Sequence, residues 1–89
     1  MPLKPTAPDA EEIAISALGF LAGDPARLER FLSLTGLDPA SLRAAAQAPG
    51  FLGSVLDHLM ADEGLLLAFA ADSRVAPEAI TAARARLAP

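Results

Sequence analysis

Apolar residues recur every three or four positions along most of this chain, and short polar or glycine-proline phrases interrupt them. One stretch places apolar residues at i, i+3, i+4, i+7 and i+8, namely Leu52, Val55, Leu56, Leu59 and Met60. This spacing puts the five side chains on one face of an α-helix. The pattern predicts an amphipathic helix here and shorter helices on either side of it.

Three phrases predict where helices end and begin: 23–25 (Gly-Asp-Pro), 36–39 (Gly-Leu-Asp-Pro) and 48–50 (Ala-Pro-Gly). Glycine tolerates the left-handed conformation just past a helix end, and aspartate accepts hydrogen bonds at a helix start. Proline suits the first helical position, where an N–H group is not needed. Each phrase therefore predicts a tight corner between two helices.

Further signals mark the remaining helix starts. Asp9 followed by Glu12 is typical of a capping box, Asp62 is a predicted N-cap, and Pro77 is the predicted first residue of the last helix. The predicted fold is all-α, a compact single-domain bundle of five or six short helices. Residues 9–88 are assigned to this domain, and residues 1–8 to a flexible proline-rich tail.

Two details of the packing follow from composition along the helices. Residues 65–71 are apolar on every side, which favours a central position for the fifth helix, with the fourth and sixth packed against it. Gly19 and Gly53 lie inside helices, where glycine is unfavourable. They favour close helix crossing, with an open backbone surface for a partner as the alternative.

Composition and charge narrow the classes of function. The chain of 89 residues has no cysteine and a formal charge of −4. Its longest apolar run, residues 64–71, is far shorter than the roughly 20 residues of a membrane span. An acidic chain is poorly suited to general binding of phosphate backbones. These features predict a cytoplasmic protein without a membrane partner, and they disfavour a nucleic-acid partner.

His58 is the one histidine, and it stands near three acids, Asp57, Asp62 and Glu63. If one helix ran through this segment, His58 and Asp62 would meet at i, i+4, a spacing that can hold a metal or orient a general base. A small metal-dependent or acid-base enzyme is therefore an alternative. The competing interpretation, a structural or solvent-facing histidine with Asp62 capping the next helix, is favoured.

Residues 34–43 offer a second alternative, because a glycine turn between two short helices resembles a helix-turn-helix. Arg27, Arg30 and Arg43 would then contact the nucleic acid. The second helix, however, presents few side chains able to reach base edges.

The apolar surplus favours a non-enzymatic role. A domain this small buries only about 60% of its unfolded surface, so some apolar side chains are expected to stay exposed. We predict an apolar groove bordered by the third and fourth helices, with Phe51, Leu52 and Val55 as partner-binding residues. The partner is another protein or a second copy in a homodimer. No catalytic residue, metal ligand or cofactor is assigned.

Much of the chain after the proline-rich segment resembles a bacterial, mostly alphaproteobacterial, family known as domain of unknown function 3572. The Thr35-Gly36-Leu37 and 49–52 (Pro-Gly-Phe-Leu) phrases are the most specific parts of the resemblance. The remaining matching segments are 17–22, 30–32, 55–59, 62–63 and 65–69. The resemblance implies a compact helical bacterial domain and supplies no activity, substrate or cofactor.

Overall fold

The computed structural model describes residues 9–87, and all regular secondary structure in that range is helical. The helices are α1 (Ala10–Ala22), α2 (Pro25–Thr35), α3 (Leu42–Ala45), α4 (Phe51–Met60), α5 (Glu63–Ser73) and α6 (Pro77–Arg86). A 3₁₀ turn over Pro39–Ser41 leads directly into α3. The predicted all-α fold is confirmed, while the tail predicted for residues 1–8 lies outside the described residues.

The corners on either side of α2 form at the predicted residues, but Gly23 keeps a right-handed φ of −75°, so the predicted left-handed glycine is found only at Gly36. At the start, the Asp24 carboxylate accepts a hydrogen bond of 3.0 Å from the Ala26 N–H. At the end, Gly36 adopts a left-handed φ of 78°, and the Leu37 N–H donates to the Leu32 carbonyl at 3.1 Å. This six-to-one bond is typical of a Schellman motif, which satisfies carbonyls that the helix leaves free.

Two further predicted caps have different outcomes. Asp62 caps α5, because its carboxylate accepts the Leu65 N–H at 3.2 Å. Asp9 occupies the N-cap position of α1, but its side chain makes no capping hydrogen bond. The predicted capping box is therefore wrong in its hydrogen bonding, although the helix begins where it predicts.

The centre of the core is α1, which packs against α2, α4, α5 and α6. Its Ala14, Ala17 and Leu21 are fully buried. The small alanine side chains allow neighbouring backbones to approach closely, and the larger side chains of the other helices fill the remaining space. The buried apolar residues outside α1 are Phe31, Leu32, Phe51, Val55, Leu56, Leu59, Phe69, Ala70, Ile80 and Ala83.

The predicted central position of the fifth helix is wrong. Helix α5 does pack against α4 and α6, but only Phe69 and Ala70 of it are buried, and Leu67 is 48% exposed. A helix that is apolar on every side carries no information about which face turns inward. Its position is decided by the partners that approach it, and here they approach it from one side.

The two glycines inside helices also differ. Gly53 is buried in α4, which packs against α1. Gly19 is exposed, and a Cβ placed on it would have nothing within 4 Å outside its own helix. The predicted close crossing is therefore wrong at Gly19.

Within the described residues, no helix has the length and apolar character needed to cross a membrane.

We expect Gly19→Ala to stabilise the domain by about 0.5–1 kcal/mol, because alanine restricts the unfolded chain and meets no neighbour in the fold. Thermal unfolding followed by circular dichroism measures this as a higher midpoint. Gly36→Ala is the matched control. It adds the same methyl group at a left-handed φ of 78°, and we expect a loss of about 1–2 kcal/mol. A lower midpoint for Gly19→Ala would contradict the open environment of Gly19.

Candidate functional site: an apolar groove between α2 and α4

A groove of about 540 Å³ opens between α2 and α4, with α3 and the loop that follows it as a third wall. Its lining includes Phe31 and Thr35 of α2, Phe51 and Ser54 of α4, and Ala45 of α3. The remaining lining residues are Leu37, Ala48, Pro49 and Gly50. We refer to this feature as the α2–α4 groove. It lies at the predicted place, along α3 and α4, and α2 forms a wall that the sequence did not predict.

The loop at residues 48–50 opens the groove. Gly50 has a φ of 129°, a conformation that favours glycine, and it turns the chain from α3 into α4. The Phe51 N–H donates to the Ala48 carbonyl at 3.2 Å, so α4 begins immediately after the turn. Ala45 and Ala48 carry only methyl groups. The short side chains leave open the space that larger ones would fill.

Two aromatic rings give the groove an apolar floor. Phe31 is fully buried and Phe51 is 6% exposed. Their rings meet edge to face with centroids 6.2 Å apart, an arrangement that aromatic pairs prefer. The same two residues belong to the core of the domain. The floor of the groove is therefore as rigidly packed as the core.

The two hydroxyl groups in the groove are satisfied within their own helices. Thr35 Oγ1 donates to the Phe31 carbonyl at 2.8 Å, and Ser54 Oγ donates to the Gly50 carbonyl at 3.2 Å. Since neither hydroxyl proton needs an external acceptor, an apolar occupant would leave neither of them unsatisfied. The groove suits apolar side chains better than polar ones.

A second hollow of about 330 Å³ continues the groove, sharing Thr35 and Ser54 with it. Leu34, Asp57, His58 and Ala61 complete its lining. At 64% exposure, Leu34 is the most exposed large apolar side chain in the described part of the chain. An exposed leucine beside an open apolar groove extends the apolar surface toward solvent.

His58 lies where the second hollow meets the core. Its ring packs edge to face on Phe31, with centroids 5.1 Å apart, and its Nε2 is buried without a hydrogen-bond partner. Burial lowers the pKa of His58 below its usual 6.5, and the nearby Arg30 charge lowers it further. Asp62 has the opposite, smaller effect on this pKa. The imidazole is therefore neutral near pH 7.

The predicted catalytic or metal-binding group does not converge. Asp57 is bound by Arg84 of α6 through two hydrogen bonds, at 2.7 Å and 3.1 Å, and this contact raises the pKa of Arg84. Asp62 caps α5, so the helix through His58 and Asp62 that the alternative requires is interrupted after Met60. Within residues 9–87, no three histidine or acidic side chains are placed to hold a metal ion.

The helix-turn-helix alternative also loses support. The second helix, α3, has four residues, which is one turn and about 6 Å of length. Arg27, one of the predicted nucleic-acid contacts, interacts with other residues of the protein. Its guanidinium lies 4.3 Å from the centroid of the Phe20 ring, and its Nε lies 3.9 Å from an Asp24 carboxylate oxygen. A one-turn helix presents too few side chains to read a major groove.

The three predicted partner-binding residues lie in three different places. Phe51 forms the floor of the groove. Leu52 lines an adjoining hollow of about 250 Å³, which shares the 48–50 loop with the groove and also includes Glu11 and Leu87. Val55 is fully buried in the core and supports α4 from inside. Of the three, Phe51 is the one that the α2–α4 groove contains.

The sequence does not reveal the α2 side of the groove. Phe31 and Thr35 share a helix face that reads as core, and only the tertiary structure leaves its end open. Leu34 did carry a signal, because it is a large apolar residue beside the apolar face of α2 rather than on it. Such a residue, next to a predicted corner, is a better indicator of an exposed apolar surface than a core position.

These features define a small all-α domain with an apolar groove and no convergent polar site among the described residues. A family model described as "Protein of unknown function (DUF3572)" matches residues 7–89, and the chain belongs to that family. The match confirms the resemblance drawn from the Thr-Gly-Leu and Pro-Gly-Phe-Leu phrases. No curated protein and no solved structure matches the chain.

We expect the Asp57–Arg84 contact to stabilise the domain only slightly, and less as salt is added, because both side chains are partly exposed. A double-mutant cycle with Asp57→Asn and Arg84→Gln, followed by urea unfolding, measures their coupling energy. An unfavourable coupling energy, or one that salt does not weaken, would contradict this expectation. If adding zinc stabilised the natural protein but not Asp57→Asn, Asp57 would instead be a metal ligand.

Proposed function

We propose that this domain is a non-enzymatic interaction module whose α2–α4 groove binds an apolar helical segment of another protein. The observation that carries the proposal is the lining of the groove. Its floor is two packed phenyl rings, and its hydroxyl groups already donate within their own helices. Above these rings, the accessible apolar lining is Leu37, Ala48 and Pro49, and covering it with apolar side chains gains free energy.

The shape of the site favours a helix as the bound element. Adding a strand requires an exposed sheet edge, and residues 9–87 contain no strand. Proline-rich segments dock on exposed aromatic rings, but both Phe31 and Phe51 are buried. An amphipathic helix inserts apolar side chains at i, i+3 and i+4 between two walls, which is the geometry that α2 and α4 offer. We place this interaction in the bacterial cytoplasm, and fractionation of the host tests that location.

We expect a photoreactive phenylalanine analogue at Leu34 to cross-link one protein in the host, because Leu34 is exposed at the rim of the groove. The cross-linked segment should be an amphipathic helix, and a synthetic peptide of that segment should bind the purified domain. Ala48→Trp places a large side chain in the groove at an exposed position, and we expect it to abolish peptide binding.

Ala82→Trp is the matched control, because Ala82 is exposed on α6 and lines none of these hollows. It should leave binding unchanged, and circular dichroism should show both variants folded. The proposal is overturned if the peptide fails to bind the purified domain, or if Ala48→Trp binds it as well as the natural sequence does. Phe51→Asp is a poor test, since it places a charge in the core.

A second candidate function, a homodimer, is favoured by the position of Leu34. In a two-fold dimer each surface patch faces its own copy, so a projecting side chain beside a groove is self-complementary. Leu34 of each copy would enter the groove of the other copy. The same groove would then be occupied by a second copy of this chain.

For the homodimer we expect sedimentation equilibrium to show a dimer that Leu34→Glu converts to a monomer, because a charge cannot enter the apolar groove without a large desolvation cost. Leu67→Glu is the control: it makes the same change of charge at a 48% exposed leucine on α5. A monomer at all concentrations would exclude the homodimer and leave the heterologous partner. Equal loss of dimer in both variants would indicate charge repulsion instead.

A further inference from the structure

His58 combines two features that a purely structural histidine does not need. Its Nε2 is buried without a partner, and its ring packs on Phe31, the residue that forms the floor of the groove. We infer that His58 is a proton-sensitive switch for the α2–α4 groove, in which protonation breaks the contact with Phe31 and closes the groove to apolar ligands. This inference concerns regulation of the site and rests on the proposed function.

The contacts that would transmit the change are continuous. The His58 ring lies edge to face on Phe31 at 5.1 Å, and Phe31 lies edge to face on Phe51 at 6.2 Å. Phe31 and Phe51 line the groove, while His58 lines the hollow that continues it. Movement of the imidazole removes packing from one face of Phe31. The two phenyl rings must then repack in the groove.

The chemistry of imidazole supplies the reason for movement. The neutral ring has one N–H donor, and a buried nitrogen beside an aromatic ring is tolerated in that state. The protonated ring has donors on both nitrogens and a full charge. Nε2 then requires an acceptor, and no protein acceptor lies within hydrogen-bonding distance of its buried position. The protonated ring therefore gains free energy by turning toward solvent.

The charged groups around His58 favour the neutral form near pH 7. Arg30 of α2 opposes protonation, and Asp62 at the start of α5 supports it more weakly than burial and Arg30 together oppose it. Asp57, the preceding residue, is held by Arg84 of α6. Helix α1 carries Glu11 and Glu12, and Glu11 lies at the opposite end of α4, beside Gly50 and Gly53.

The sign of the pH effect follows from these contacts. The pKa of His58 is lower in the folded protein than its ordinary 6.5, so the unfolded chain binds more protons between the two values. The stability that neutral His58 contributes is therefore fully present above pH 6.5. It decreases as the pH falls from 6.5 to the pKa of His58 in the folded protein. The open groove occurs together with the packed His58–Phe31 contact, which is the contact of the neutral ring, so we expect protonation to disrupt the groove.

The first test follows the free protein by aromatic NMR from about pH 8 to about pH 5, the range in which histidines titrate. We expect His58 to titrate with a midpoint below 6.5, and the Phe31 and Phe51 ring signals to shift with the same midpoint. His58→Phe is the matched variant, because it keeps an aromatic ring against Phe31 and removes the titration. In that variant the two phenyl rings should not shift with pH.

The second test uses Nile red, a neutral apolar dye, as the probe of the groove. Loss of binding in Ala48→Trp but not in Gln47→Trp, which lies in the adjoining hollow alone, establishes that the dye binds in the groove. If only the neutral form binds, affinity falls about tenfold for each pH unit below the His58 midpoint. His58→Phe should bind the dye equally well across the range. Urea unfolding at each pH confirms that both proteins remain folded.

The inference is overturned if the phenyl rings do not follow His58, if dye binding is independent of pH, or if His58→Phe keeps the same pH dependence. These outcomes are distinct from failure of the proposed function. If the phenyl rings follow His58 but no partner binds, the switch is retained and the proposed interaction role is lost. If a partner binds equally at both pH values, the interaction role is retained and the switch is lost.

Discussion

The close packing of α1 against its neighbours is the constraint on which the rest of the structure depends. Ala14 and Ala17 are fully buried, and their methyl groups let α4 and α6 approach the α1 backbone. A larger side chain at either position would separate the helices and open cavities between them. The position of α4 relative to α1 then determines which face of α4 remains for α2 and the groove.

Phe31 links this core to the surface. It is fully buried, yet its ring contacts both Phe51 and His58 and forms part of the floor of the groove. The groove therefore lies directly over the core, and its accessible walls are Leu37, Ala48 and Pro49. A change in the packing of Phe31 would therefore alter the floor of the groove.

Polar side chains near the groove are used for local structure. Asp38 accepts hydrogen bonds from the Ser41 hydroxyl and N–H, which lowers the pKa of its carboxyl group. Asp62 caps α5, and Asp57 joins α4 to α6 through Arg84. Acidic residues that resemble candidate ligands in the sequence therefore cap helices or, in one case, join two helices. Their spacing alone could not distinguish these roles from catalysis.

The sequence by itself determined the helices and their ends, because capping and turn formation depend on neighbouring residues. Asp24 with Pro25 and Gly36 act within a few positions of the chain, and the structure follows them closely. The sequence did not determine that α1 rather than α5 is central, that Gly19 is open, or that α2 forms a wall of the groove. These features depend on contacts between residues far apart in the chain, and a helix with several apolar faces is compatible with more than one arrangement. Only the tertiary packing selects which face is covered, and the groove lies where that covering stops.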